Sequence, residues 1–169
     1  MLSFRAAVAE SFGKGLPPAP HELIAWDGMD QLDKEEAQSF VQNKKWEHVL
    51  TYLQKLRPAS AAYFLEEWVV LAPNAMSYYA RAYIEYLIGT LSSEDPDTEF
   101  AANLFGQLYQ LAYMYKGHLP FVESQIQLLV AIARASAAIA SEDELASYWE
   151  RDIEEQIQKF LRELDPHEI

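Results

Sequence analysis

Apolar residues recur every three or four positions along nearly the whole of this chain. The C-terminal segment shows the pattern most clearly, with apolar side chains at Leu145, Trp149, Ile153, Ile157, Phe160, Leu161 and Leu164. On an α-helix this spacing places the side chains on one face, whereas a half-buried strand needs strict alternation. No run of five or more residues alternates cleanly between apolar and polar. The pattern therefore predicts an all-α fold.

Proline and glycine divide this periodic sequence into seven or eight predicted helices. We expect them over residues 2–12, about 30–41, 46–56, 61–71, 74–90, 98–116, 121–140 and 142–164. Pro58 is expected to stop the third helix and Ser60 to cap the fourth, while Gly15 suits the positive φ of a helix end. The helix over 121–140 is apolar on most sides, which predicts a central position. At most a two-stranded ribbon near residues 21–28 is expected besides the helices.

The length of 169 residues fits one domain, which can bury a sizeable core without disulfides. We predict a single helical domain over residues 1–169. An acidic loop near residues 92–97 separates its N-terminal half from a more acidic C-terminal half.

The charge restricts the classes of partner. The chain has 13 Lys and Arg against 26 Asp and Glu, a net charge of −13. Residues 1–90 contribute 8 basic and 11 acidic side chains, whereas residues 91–169 contribute 5 and 15. Nucleic acid requires clustered basic residues, so we exclude it and expect a basic protein partner. A merely well-solvated acidic face is the alternative. The sequence does not indicate an oligomeric state.

Membrane and export signals are not expected. The N-terminus lacks the basic start and apolar run of a secretory signal. The longest charge-free stretch, residues 100–115, is shorter than the roughly 20 residues of a membrane span. The chain contains no cysteine, which fits a reducing cytoplasm. We therefore predict a cytoplasmic protein.

The sequence contains no local signature of catalysis, metal binding or cofactor binding. Without cysteine there is no thiolate nucleophile and no zinc site built on sulfur. The four histidines, His21, His48, His118 and His167, lack the helical spacings of metal ligands. No glycine-rich loop is present to hold a phosphate. We predict a non-enzymatic protein without a metal or a cofactor.

Glu66 and Glu67 are the pair of acids that could contradict this prediction. They lie among apolar residues of a predicted helix, where burial can raise the pKa of a carboxyl group. The simpler interpretation is a polar strip on a mostly buried helix. If the protein is an enzyme, either glutamate acting with a histidine is the site that the sequence offers.

Tyrosine and acidic side chains are the predicted partner contacts. Tyrosine combines a large apolar ring with a polar tip, as interface anchors do. We expect Tyr79 and Tyr83 at the core edge. The hypothetical contact set comprises Glu94, Asp95, Asp97, Glu99, Glu150, Glu154, Glu155, Tyr78, Tyr86, Tyr109 and Tyr113.

A resemblance covers the stretch from Phe12 to about Leu87. Phe12 precedes a proline-rich loop ending at Pro20, Lys45-Trp46 follows an acidic segment, and residues 71–83 contain paired tyrosines before a final Ala-Tyr. In these features the chain resembles an uncharacterised family of small bacterial helical proteins, a domain of unknown function. The resemblance implies no catalytic residues, and it implies an association with secreted bacterial toxins.

These observations together favour a non-enzymatic acidic binding protein. The leading hypothesis is an immunity-type inhibitor that neutralises a basic toxin domain by masking its active site. The alternative is a helical scaffold or regulatory adaptor with a similar interface and no toxin partner.

Overall fold

The computed structural model describes residues 2–24, 31–93, 98–114, 119–141 and 148–164. These residues form eight α-helices and a short 3₁₀ turn at Pro20–Glu22. The helices are α1 Leu2–Ser11, α2 Gln31–Val41, α3 Trp46–Leu53, α4 Pro58–Val69, α5 Pro73–Leu91, α6 Glu99–Met114, α7 Glu123–Ser141 and α8 Tyr148–Leu164. The predicted all-α fold is confirmed.

Extended pairing in the described residues is limited to one bridge, between Ile24 and Leu71. The Ala72 N–H donates to the Leu23 carbonyl at 2.7 Å beside it. This contact lies at the start of the segment where a ribbon was expected, and residues 25–28 of that segment fall outside the described residues.

The helix ends follow proline and glycine, with two corrections. Pro58 does not precede α4 but is its first residue, where a missing N–H costs nothing, so Ser60 is not the cap. Pro73 opens α5 in the same way. Gly13 as well as Gly15 has a positive φ, +69° and +87°, and Gly13 is the one that turns the chain just after α1.

Helix α5 is the central element, where the sequence predicted α7. Twelve of its nineteen residues are buried. Its tyrosines tolerate burial because their hydroxyls reach backbone carbonyls: Tyr79 donates to Val41 and Lys44, Tyr83 to Phe64, and Tyr86 to Leu56. Sequence hydropathy counts tyrosine as partly polar, so it understates the burial of such a helix.

The other helices pack around α5 in two groups. Helices α1, α3 and α4 contact α5 directly, while α6 lies against α4 and α8, and α7 lies against α1 and α8. Buried Gln125 joins the N-terminus to α7, because its amide donates to the Ser11 carbonyl at 2.7 Å. No helix among the described residues is long and apolar enough to cross a membrane.

Candidate binding cleft

An open cleft of about 650 Å³ lies between α2, α3 and α4. Helix α4 packs on α2 and on the central helix α5, and α3 packs on α5, so the cleft has rigid walls. Its lining residues are Glu36, Ser39, Phe40, Lys44, His48, Val49, Thr51, Tyr52, Lys55, Phe64 and Glu67.

Helical spacing brings these side chains together. On α2, Glu36 and Phe40 are four residues apart, and on α3 the same spacing separates His48 from Tyr52. Helix α4 contributes two residues three apart, Phe64 and Glu67. Positions three or four apart share a helix face, so each helix presents an aromatic and a titratable residue to the cleft.

Three aromatic rings form one wall. Phe40 and Phe64 are stacked with centroids 4.5 Å apart, and the Tyr52 ring meets both edge-on at 5.5 and 5.3 Å. Tyr63 continues this wall to the outer surface, with its ring 5.9 Å from that of Phe64. Tyr52 is 43% exposed and Tyr63 60% exposed, so the wall reaches solvent at the mouth of the cleft.

Among the described residues, Glu67 is the one whose buried side-chain oxygen the fold leaves unsatisfied. Its Oε2 atom is buried and has no hydrogen-bond partner. Burial is the main cause that raises the pKa of Glu67, to about 7, with Glu36 adding to the effect and Lys44 opposing it. A carboxyl group with a pKa close to neutral in an open cleft marks a candidate functional site.

The cleft contains both signs of charge. Lys44 does not pair with Glu67, because its ammonium group donates to the carbonyls of Ser39 and Phe40 at the end of α2. The same ammonium group lies 5.3 Å from the centroid of the Phe40 ring. His48 accepts a hydrogen bond from the Lys45 N–H through Nδ1. None of these hydrogen bonds involves Glu67, so its carboxylate can accept a hydrogen bond from a ligand.

The cleft confirms one part of the interpretation of Glu66 and Glu67 and corrects the other. Glu66 is exposed, as a polar strip predicts. Glu67 lies about 100° further round the helix and shares the cleft with His48. The sequence does not single it out, because the three-residue spacing from Phe64 to Glu67 also separates Tyr63 from Glu66.

Most of the predicted acidic contacts fall outside what the structure describes. Residues 94–97, with Glu94, Asp95 and Asp97, are outside the described ranges, and the side chains of Glu150 and Glu154 are not described either. Glu99 is exposed at the start of α6. Glu155 is exposed on α8, where Lys159 at 2.9 Å donates to its carboxylate and lowers its pKa.

The predicted tyrosine contacts divide into two groups. Tyr78 and Tyr86 are buried, 7% and 5% exposed, so the expectation that they are exposed contacts was wrong. Their rings pack edge-on against Tyr79 and Phe100, on faces of α5 that neighbouring residues cover. Tyr113 is exposed on α6 and Tyr109 is partly buried. Tyr79 and Tyr83, predicted at the core edge, are fully buried within the core.

Metal ligands do not cluster in the described part of the chain. No group of three or more His, Asp or Glu side chains there could hold a metal ion. His21 and His48 are exposed, while His118 and His167 lie outside the described residues.

No family model, curated protein or solved structure matches this chain. The resemblance of residues 12–87 to a bacterial family therefore stays a prediction.

Proposed function

We propose that this chain is a non-enzymatic binding protein that recognises a basic protein partner through the face bearing the cleft between α2, α3 and α4. The proposed location is the cytoplasm, with which the lack of cysteine is compatible.

The observation that carries the proposal is the exposed aromatic wall of the cleft. Tyr52 and Tyr63 both contact Phe64, yet about half of each side chain remains open to solvent. Rings held in place by a buried neighbour lose little conformational entropy on binding, which is why tyrosine is common among interface anchors. Glu36 and Glu67 lie beside this wall and favour a cationic group from the partner.

The net charge supports a basic partner. With a net charge of −13 the chain repels acidic surfaces and attracts basic ones. This attraction raises association rates within the distance beyond which salt screens it. The charge thus selects the class of partner, while the rings and the cleft supply the contact.

More narrowly, we propose an immunity-type inhibitor that masks the active site of a basic toxin domain. The support is the implied association with secreted toxins, together with a cleft suited to basic side chains. A scaffold or adaptor would use the same contact without suppressing any activity of its partner, so an inhibition assay distinguishes the two.

The test is affinity capture from the organism that encodes the chain, followed by purification of the captured protein and measurement of both binding and inhibition. We expect a basic protein that binds with one-to-one stoichiometry and dissociates more readily as salt increases. An acidic partner, or binding insensitive to salt, would contradict the proposal. Inhibition of the partner's activity would identify an immunity-type inhibitor.

Two tyrosine variants locate the interface. Tyr63→Ala removes an exposed ring next to the cleft, and Tyr113→Ala removes a comparably exposed ring on α6. We expect the first to weaken binding at least about tenfold and the second to leave it nearly unchanged. The reverse result would move the interface to the α6 surface.

The shared cleft of Glu67 and His48 favours a second candidate function, an enzyme in which Glu67 transfers a proton. A pKa near 7 suits a general acid or base at neutral pH. The test is incubation of the protein with a small-molecule extract of the host, with NMR detection of consumed compounds. Consumption by the native chain and by Glu66→Gln, but not by Glu67→Gln, would support this candidate.

A further inference from the structure

The cleft presents a hydrogen-bond acceptor to which no described residue donates. Glu67 Oε2 is buried without a partner, and a carboxylate oxygen in that position costs free energy until a donor reaches it. Lys44 acts on Glu67 electrostatically, but two of its three ammonium hydrogens bond to the carbonyls that end α2. Oε2 is enclosed as the side chain stands, yet Glu67 lines the cleft, so a ligand in the cleft can donate to its carboxylate once the side chain turns outward.

The wall next to this acceptor is aromatic. The Phe40 and Phe64 rings are inclined to one another by only 26° and stack at 4.5 Å, so each covers one face of the other, with Tyr52 at their edge. Aromatic rings attract cations, and Lys44 already lies over the Phe40 ring, which leaves the 43% exposed Tyr52 ring as the part of the wall most open to a further cation. The cleft thus combines a carboxylate with a surface for a planar cation.

We infer that the cleft binds an arginine side chain of the partner, with the guanidinium group hydrogen-bonded to Glu67 and packed against the wall of Phe40, Phe64 and Tyr52. Guanidinium suits this place better than ammonium, because it is planar, stacks on rings and donates in a fork to a carboxylate. The source of the arginine rests on the proposed function, whereas the preference of the cleft for such a cation does not.

The cleft also contains groups that an anion could use, namely Lys44, Lys55 and His48. An anion would have to enter beside Glu36 and Glu67 and would leave Oε2 without a donor. Lys44 is also engaged with backbone carbonyls. The unpartnered oxygen therefore favours a cationic ligand over an anionic one.

Three ligands of nearly equal shape test the charge preference directly. Benzamidine is a planar cation, benzamide is its neutral counterpart and benzoate its anionic one. We expect chemical-shift titration to place benzamidine in the cleft, bound about tenfold more tightly than benzamide, as a charge-assisted hydrogen bond implies. Benzoate should bind least well. Equal or tighter binding of benzoate would overturn the inference.

A second pair of probes represents the partner's side chain itself. N-acetyl-arginine amide and N-acetyl-citrulline amide differ in charge but hardly in shape. The arginine compound should shift resonances of the cleft residues at concentrations where the citrulline compound does not. Equal shifts by the two compounds would mean that the cleft does not select a cation.

The matched variants are Glu67→Gln and Glu66→Gln. They remove one charge each from adjacent residues of α4, but Glu66 is exposed and does not line the cleft. Glu67→Gln should abolish the preference for benzamidine over benzamide, and Glu66→Gln should retain it. A preference that survives Glu67→Gln would contradict the assignment. Circular dichroism confirms that both variants remain helical.

The pH dependence gives an independent measurement. Binding of a cation should tighten between pH 6 and pH 8 as Glu67 ionises, with release of a proton when benzamidine binds near pH 6.5. The other titratable groups around Glu67 are Glu36, Lys44, His48, Lys55, Glu66 and Tyr83. His48 also lines the cleft, so His48→Gln must keep the dependence. Its loss in that variant would assign the effect to the histidine and overturn this inference.

Failure of the inference and failure of the proposed function give different results. Without cation binding in the cleft, a captured basic partner would still support the proposed function. If the cleft selects benzamidine but the captured partner is not basic, the inference about the cleft stands and the proposed function falls.

Discussion

The guanidinium of Arg81 lies 3.9 Å from the centroid of the Trp46 ring, so that the start of α3 is held against the middle of α5. Glu85, one turn further along α5, accepts a hydrogen bond from Arg81 Nε at 3.3 Å. Gly13 approaches this pair so closely that a Cβ there would lie 2.7 Å from Arg81 Cδ and 2.9 Å from Trp46 Cδ1. One contact thereby joins the loop after α1 to α3 and to the central helix.

Gly13→Ala is expected to destabilise the protein by about 2–3 kcal/mol. The positive φ of +69° costs an L-residue about 1–2 kcal/mol, and the new methyl group must displace the stacked Arg81 and Trp46 side chains. Gly15→Ala is the matched control: its φ is +87°, but nothing lies within 4 Å. It should cost only about 1 kcal/mol. Urea unfolding of both variants measures the difference, and equal losses would show that the contact does not matter.

Tyr79→Phe is expected to destabilise the protein by about 1–2 kcal/mol. The Tyr79 hydroxyl lies 2.9 Å from the Val41 carbonyl and 2.7 Å from that of Lys44, and its removal leaves both without this donor. Burial raises the pKa of Tyr79 to about 12, so its hydroxyl keeps its proton and remains a donor at any working pH. Tyr113→Phe, at an exposed position, should change the unfolding free energy by less than about 0.5 kcal/mol. A loss as large in the control would refute the role of these bonds.

Glu67 is expected to make stability fall as pH rises from about 4.5 to 7. Because the folded pKa is raised to about 7, the folded state keeps a proton that the unfolded state has already released. The contribution is fully present below the unfolded pKa and is lost as pH passes the folded one. The unfolding free energy of Glu67→Gln, relative to that of the native chain, should therefore rise by about 1 kcal/mol between pH 5 and pH 8. This value is reduced because solvent screens a half-exposed group.

Urea unfolding at several pH values measures this gain. Glu66→Gln serves as the control, since Glu66 is exposed and its stability difference from the native chain should stay constant over the same range. Parallel pH profiles for the native chain and Glu67→Gln would mean that the pKa of Glu67 is the same in the folded and unfolded states.

The helices could be predicted because their cause is local. A spacing of three to four residues between apolar side chains indicates a helix, and the helix predicted over residues 74–90 is α5, which begins one residue earlier at Pro73. Pro58 was misread as a stop because proline is compatible with the first turn as well as with a helix end. Whether a proline begins a helix or ends one depends on what the following segment packs against.

The cleft could not be predicted because it is built from residues far apart in the chain. Nothing near Glu67 indicates that Glu36 and His48 share its cleft, since only the packing of α2 and α3 brings them there. The burial of Tyr78 and Tyr86 is non-local for the same reason. Whether a phenol is at a core or on a surface depends on an acceptor such as the Leu56 carbonyl, which lies 30 residues from Tyr86.

The acidic residues of α6 and α8 are expected to act on the rate at which a basic partner associates. Glu99→Lys and Glu155→Lys each reverse an exposed charge, and together they should slow association several-fold at low salt. The effect should disappear at about 1 M salt, where screening acts within roughly 3 Å. Dissociation should hardly change, because exposed charges at a rim lose little water on binding.

Stopped-flow association with the purified partner measures these rates, and Glu123→Lys is a suitable control. It reverses an exposed charge on α7, which lies outside the predicted contact set. If all three reversals slow association equally, the chain attracts its partner through net charge alone and no acidic face is selected. A faster dissociation or a salt-independent loss in the double variant would instead mean that Glu99 or Glu155 lies within the buried contact.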